Sequence, residues 1–409
     1  MDDPTPSRKT DFREAVRHWL TSGRPADGII GILLAYVVVA AGAYLLGLAI
    51  VDPLGRPVEV DFVNYWAAGR LALDGHAATA YDWTTHKAME DLAVGHHFDG
   101  YYSWLYPPMF LLMVTPLALV GYLPAWLIWV VLTGGLLYWS LYRILPYPPL
   151  FPLLLAAPTV VTCAVEGQNG LLSAGLIGAT LAFLERRPAL AGMFLGLLTY
   201  KPQFGLLFPL ALLVGQRWTV LVSATITALL VAGLSALVFG IDTWVAFIHS
   251  TSTSVNDILR AGLAGWSKTQ SVYAFMRQLT DNDGLAWIVH GGWALLWVVV
   301  LVRFWTRPTA YDTKAALLAT AAVAATPYLY LYDTVILLVP VTFLVKNALE
   351  RGWQPYDKPL LALSFVPPLV FLAFGSLATP LACLALLLVI LRREGLAVPA
   401  RSGPPILPV

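Results

Sequence analysis

Apolar stretches of roughly 20 residues recur along this chain from Ile29 to Leu391, and a segment of that length placed in lipid must satisfy its own backbone hydrogen bonds, which an α-helix does internally. A transmembrane β-barrel would show shorter, strictly alternating segments, which are absent. Twelve segments follow the helical pattern: Ile29–Val51, Pro108–Val120, Pro124–Tyr142, Leu150–Val165, Leu171–Leu184, Leu190–Val214, Val220–Phe239, Leu285–Phe304, Ala315–Pro327, Thr334–Val345, Leu360–Phe374 and Leu377–Leu391. The expected fold class is an all-α polytopic membrane protein with about 12 transmembrane helices. Only 12% of the 409 residues are charged, about half the share usual in a soluble domain, so water is not the main solvent.

Charge placement suggests sidedness. Residues 1–28 form a basic arm (Arg8, Lys9, Arg13, Arg17 and Arg24) expected in the cytoplasm, and the run that follows is too long for a signal-peptide core. The transmembrane domain then spans 29–392, with polar external loops at about 52–104 and 240–284 and a cytoplasmic tail at 393–409. Three clusters fall on one side: Arg303, Arg307 and Lys314; Lys346, Arg351 and Lys358; Arg392 and Arg393. Arg186 and Arg187 fall on the other side if every run is one crossing, and a broken or re-entrant helix near Pro202 would change that parity. Within the first loop, Phe62–Leu73 and Thr84–Val94 suit helices too short and polar to cross, lying along the membrane surface.

The balance of 25 Lys and Arg against 24 Asp and Glu, with no basic block, excludes nucleic acid as a partner. Cys163 and Cys383 stand alone in apolar runs and read as lipid-embedded packing residues. His96 and His97 are adjacent, which is poor geometry for a shared metal.

Several polar constellations interrupt the apolar pattern. Asp61-Phe-Val-Asn-Tyr-Trp-Ala-Ala-Gly69 opens the first loop; Asp61 reads either as the N-cap of a helix starting at Phe62 or as a base at the membrane surface. Tyr106-Pro107-Pro108 marks a helix start. Gly167-Gln168-Asn169-Gly170 is either a turn or a pair of amides presented to a polar ligand. Lys201-Pro202-Gln203 is the sharpest anomaly, a cation beside a helix breaker inside Leu190–Val214: a lysine snorkelling to the interface, or a partner for a phosphate. Trp266-Ser-Lys-Thr-Gln-Ser-Val272 with Arg277 could be an ordinary solvated loop or a source of cationic and amide groups. In Tyr328-Leu-Tyr-Leu-Tyr-Asp333 an aromatic belt explains the tyrosines but not Asp333. Walker, dinucleotide-binding, HExxH and nucleophile-elbow patterns are all missing.

Taken in order, these motifs resemble the polyprenol-phosphate-dependent glycosyltransferases of the GT-C superfamily, in the family 87 branch that includes phosphatidylinositol-mannoside mannosyltransferases. The resemblance covers about Val60 to Pro340: Asp61 to Gly69, Leu73-x-Gly75 with Tyr81-Asp82, Tyr106 to Pro108, Gly167-Gln168-x-Gly170-Leu171, Arg187-Pro188 with Ala191-Gly192, Lys201-Pro202-Gln203, Gln270-Ser271 with Arg277, and Tyr332-Asp333.

The resemblance implies a GT-C fold with periplasmic juxtamembrane helices in the first external loop, and an active site facing the periplasm or exterior of a cell inner membrane. It implies Asp61 as the catalytic base and a polyprenyl-phosphate-linked hexose, mannose foremost, as donor, with glucose or a pentose left open. Lys201, Arg277 and Gln203 are then candidates for the leaving phosphate. Gln168, Asn169, Tyr106 and Asp333 would line the sugar pocket, with Tyr65, Gln270 and Tyr332 as further substrate-binding candidates. The acceptor is a lipid or glycan hydroxyl, membrane lipids are the surroundings, and neither cofactor nor metal is required by monophosphate chemistry. Some relatives carry a histidine where this chain has Tyr328 to Tyr332, so no role of that histidine carries over. The alternative, a polytopic lipid or sugar transporter or flippase, would show inverted repeats, which the sequence lacks.

Overall fold

The computed structural model describes residues 55–254 and 266–395, apart from 101 and 366, and scattered positions between 35 and 51. The 1–28 arm, most of the first apolar run and the tail beyond 395 lie outside the described residues. Among the described residues the architecture is helical, with two isolated β-bridges, Val51 to Pro57 and Thr269 to Tyr330. Among the described residues, five helices are long and apolar enough to cross a membrane: Tyr122–Ile144, Trp218–Phe239, Asp283–Trp305, Leu331–Arg351 and Gly375–Arg393. Trp218–Phe239 turns Leu229, Leu230, Leu237 and Val238 outward, the pattern of a lipid-facing helix.

Basic residues gather at one end of the bundle. Arg217 pairs with Glu185, the Tyr311 hydroxyl donates to the Leu181 carbonyl, Lys346 Nζ lies 2.8 Å from Asp312 Oδ1, and Arg393 bonds Asn347 (2.9 Å) and Asp357. Arg143 stacks 5.9 Å from the Phe183 ring at this same end. The opposite end holds the polar loops, tied by Phe62 N to Glu166 O at 3.0 Å and Gln270 N to Leu329 O at 2.7 Å.

Two of the expected crossings turn back. Leu190–Val214 is cut into Pro188–Leu197, two short 3-10 turns and Leu207–Val214. The break falls at Lys201 (φ −133°, ψ 70°), because Pro202 has no N–H to give and disfavours helical backbone in the residue before it. One limb leaves Arg187 beside Glu185, Lys201 reaches the opposite end, and the other limb returns to Arg217, which holds Glu185. Arg186 and Arg187 therefore sit with the other basic residues, and the parity conflict disappears. Pro108–Val120 likewise starts and finishes at the loop end, where the Trp66 indole donates to Val120 O at 2.9 Å and Gly69 meets Val114 O. The limb Pro188–Leu197 packs on Trp218–Phe239 through Gly192 and Gly196, where an added Cβ would lie 2.5 Å from Val220 O and 2.6 Å from Ala224 O; small residues four apart allow such backbone approach in lipid.

The loop-end layer also departs from a surface arrangement. Phe62–Leu73 is a helix, but ten of its twelve residues are buried, against Thr115–Leu119 and against Trp83–Val94. It is covered by protein on nearly every side, where an amphipathic surface helix would leave one face open. Trp83–Val94 is one-sided, with His86, Glu90 and Val94 inward and Leu92 outward, capped by Asp82 Oδ1 on Thr85 N at 2.8 Å. Cys163 and Cys383 face protein, not lipid: both are fully buried, and Cys163 Sγ donates to Gln168 O at 3.3 Å.

Candidate active site

Asp61 precedes its helix in helical conformation (φ −50°, ψ −24°), and its side chain caps nothing. The N-cap reading fails for a local reason: a capping side chain takes the N–H of the second or third helical residue, and the Val63 N–H is already taken by the Val60 carbonyl at 2.8 Å. The carboxylate is turned instead to Gln168, whose Nε2 donates to Oδ2 at 2.7 Å.

Gln168 is held from its other side. Its Oε1 accepts from the Tyr65 hydroxyl and from Asn169 N at 3.3 Å, and Tyr65 is in turn 3.0 Å from the Tyr106 hydroxyl. With the carbonyl oxygen occupied by donors, only the amide nitrogen can face Asp61. The chain reaches this point through a tight turn. Gly167 has φ +62°, a Cβ there would lie 2.6 Å from Phe62 Cβ, and one on Gly170 would lie 2.4 Å from Tyr332 O. Only glycine fits such contacts, so the Gly-Gln-Asn-Gly spacing presses the two amides between the Phe62–Leu73 helix and the Tyr332 turn.

Asn169 continues the network. Lys201 Nζ donates to Asn169 Oδ1 at 2.9 Å and to Asp333 Oδ1 at 2.6 Å. Lys201 is 3% exposed and Asp333 0%, so this lysine does not snorkel to an interface. It is paired and lies 5.1 Å from the Tyr332 ring centroid and 5.3 Å from that of Phe204. Asp333 Oδ2 also accepts from Tyr330 N at 3.3 Å, fixing the turn that carries it.

Tyr106, Tyr65, Gln168, Asp61, Asn169, Lys201 and Asp333 thus form one hydrogen-bonded unit, with Tyr332 over the lysine. The other candidates lie differently. Gln270 is turned to Gly375 O (3.2 Å) and Thr379 (3.3 Å), tying the second loop to the turn before the last helix. Arg277 stacks 5.3 Å over the Trp266 ring and lies 3.4 Å from Asp281. Gln203 is half-buried at the hairpin tip.

The electrostatics bring in Glu166, which the motif reading does not include, and single out Lys268 within the Trp266–Val272 stretch. Burial pushes the Asp61 carboxyl above its ordinary range, opposed by the Gln168 hydrogen bond and by the charges of Lys268 and Lys201. Glu166 is pushed to about 7 by burial and then by the Asp61 charge, against Lys268 and the Asp61 backbone N–H. Glu166 had a visible signal, being the only charged residue between Arg143 and Glu185. Lys268 lies in the Trp266–Val272 stretch already read as a source of cationic groups, but nothing in an exposed loop lysine shows that its charge bears on Asp61.

The described residues thus form a helical bundle with several spans long and apolar enough to cross a membrane, whose polar end joins a buried cation to a carboxylate at the head of a loop helix. Residues 104–331, more than half of the chain, match the model of Glycosyltransferase family 87, and the chain belongs to that family. The matched segment holds Tyr106, Gln168, Asn169, Lys201, Gln203, Gln270 and Arg277; Asp61 lies before it, and Tyr332 and Asp333 directly after. No curated protein and no solved structure matches the chain.

Proposed function

We propose that the protein is an inverting glycosyltransferase that moves a hexose, mannose foremost, from a polyprenyl-phosphate-linked donor to a hydroxyl of a lipid or glycan acceptor. The observation that carries this reading is Gln168 bridging Asp61 to the Asn169–Lys201–Asp333 cluster, which puts a proton acceptor and buried cationic charge into one rigid unit. Asp61 takes the proton of the acceptor hydroxyl as the acceptor oxygen bonds to the sugar C1, and the C1–O bond to phosphate breaks with its electron pair leaving on the phosphate. The developing phosphate charge needs fixed partners in a site poor in water. Lys201 is already balanced by Asp333, so the exposed Lys268, whose charge reaches Asp61, is the cation open to the phosphate.

Glucose or a pentose would undergo the same displacement, so the donor sugar rests on the sequence resemblance. The gathering of basic residues at the far end supports a cytoplasmic placement for that end and an exterior placement for the site, in a cell inner membrane. On this reading residues 29–392 are the transferase domain, with the arm and tail cytoplasmic.

The test is sugar transfer from synthetic polyprenyl-phosphate mannose to a membrane lipid extract by the purified protein in detergent, with EDTA present, comparing wild type with Asp61→Asn. Product with wild type and none with the folded variant supports the reading. Wild-type inactivity with mannose, glucose and arabinose donors alike overturns it.

A further inference from the structure

Glu166 is the residue of this site for which the transfer step as written has no use. Its backbone carbonyl receives the Phe62 N–H at 3.0 Å, which sets Glu166 against the residue that follows Asp61 at the start of the Phe62–Leu73 helix. Two residues on, Gln168 holds the Asp61 carboxylate from the other side at 2.7 Å. Two acidic residues are thereby brought to adjoining main chain, each feeling the other's charge, at the point where the proposed reaction brings an anionic donor.

We propose that Glu166 is a positioning residue of the transfer site, forming with Asp61 a carboxylate pair that works with one shared proton, carried by Glu166, so that Asp61 is the oxygen free to accept the proton of the acceptor.

The partners divide in that sense. Asp61 has the Gln168 amide and the charges of Lys268 and Lys201; Glu166 has one backbone N–H and Lys268. The anion is better supported on Asp61, and interacting like charges in a buried setting do not both ionise readily. The burial and the Asp61 charge that push Glu166 to about 7 agree with a proton residing there near neutrality. Other ionisable groups whose charge bears on this region are Glu59 and Tyr102, the latter responding to Asp61, Glu166, Glu59 and Glu90; Asp333 stands across the Gln168–Asn169 bridge, held by Lys201. In the step itself Asp61 gains the proton of the acceptor while the phosphate leaves with the bonding pair, and half-buried Asp61 then releases that proton to water. Ionising Glu166 as well sets a second negative charge against the donor phosphate and weakens its capture.

This inference rests on the proposed transfer reaction, and the experiment separates the two. The kcat/KM of transfer from polyprenyl-phosphate mannose is followed from pH 5 to 9 for wild type, Glu166→Gln, Glu166→Asp and Asp61→Asn, with thermal melts as a check on folding. Wild type is expected to fall on the alkaline side, approaching about tenfold per pH unit as one group ionises. Glu166→Gln, which imitates the protonated acid, keeps the acid-side rise and loses the alkaline fall. Glu166→Asp keeps a fall but displaces it. An alkaline limb unchanged in Glu166→Gln, or in Glu166→Asp should the glutamine variant not fold, overturns the proposal, as does a folded Glu166→Gln that is inactive at every pH. Activity remaining in Asp61→Asn instead removes the transfer mechanism on which the pair depends.

Discussion

Lys201 and Asp333, separated by 132 positions in sequence, meet as an ion pair at 2.6 Å with almost no solvent contact. The pair joins the tip of a re-entrant hairpin to the 3-10 turn opening another helix, so it is a tertiary lock as well as a source of charge.

Removing one member is expected to be worse than removing both. Asp333→Leu leaves a buried ammonium with Asn169 as its remaining hydrogen-bond partner and should cost about 3–5 kcal/mol. Lys201→Met with Asp333→Leu should recover much of that loss while abolishing transfer. Thermal melts of the detergent-solubilised single and double variants give the coupling; additive losses would show that the two charges do not depend on each other.

Asp61→Asn should lower turnover by about 10² to 10⁴ or more, the usual contribution of a general base. Because the Asp61 side chain caps no helix, the melting temperature should stay near that of wild type. A drop in stability with unimpaired turnover would return Asp61 to a structural role.

Gly170→Ala places a methyl 2.4 Å from the Tyr332 carbonyl, a backbone atom that cannot swing away. The Tyr332–Asp333 turn must move, at a typical overpacking cost of about 1–3 kcal/mol. Transfer should fall well beyond what that loss explains, because Lys201 loses its fixed counter-ion; activity per folded molecule, measured against melting temperature, separates the two effects.

In the first loop, His86 and Glu90 are both fully buried with their side chains 3.5 Å apart. Burial lowers His86 to about 3 and raises Glu90 to about 8, so near neutral pH the contact joins two uncharged groups. Between about 3 and 6.5 the unfolded chain binds the histidine proton more tightly, and this histidine contributes stability that grows with pH. From 4.5 to about 8 the folded chain binds the glutamic acid proton more tightly, so that contribution is lost as pH rises. Between 6.5 and 8 only the loss remains, and Glu90→Gln should remove it, raising the melting temperature at pH 8 relative to wild type. A pH dependence shared by both proteins would contradict the protonated state of Glu90.

Much of this was legible in sequence because lipid is a demanding solvent. Apolar length alone located the helices Tyr122–Ile144, Trp218–Phe239 and Asp283–Trp305 to within a few residues, and Lys201 advertised itself by its cost. What length cannot show is direction: Leu190–Val214 has the composition of a crossing, yet Pro202 folds it back, and Pro108–Val120 returns to its starting end. Phe62–Leu73 reads as a helix in sequence, but its cover of protein does not show there, since a mixed apolar and aromatic segment suits an interface as well as a protein interior. Motif order gathered Tyr65, Tyr106, Gln168, Asn169, Lys201 and Asp333 around Asp61. It did not separate them from Gln270 and Arg277, because whether a loop side chain turns toward Asp61 or toward another part of the fold, as Gln270 does toward Gly375 and Thr379, depends on contacts distant in sequence. Glu166 was overlooked beside a more conspicuous Gly-Gln-Asn-Gly turn.

The returning hairpin also has a meaning for biosynthesis. As the ribosome delivers residues 188–214, the insertion machinery meets about 25 residues of nearly continuous greasiness, long enough to be threaded straight through. The Asp333 that anchors Lys201 has not yet been made. Several later segments must enter the bilayer before the partner exists, so the tip of this hairpin can be locked only late in assembly, and a chain truncated before Asp333 lacks the carboxylate that neutralises its buried lysine.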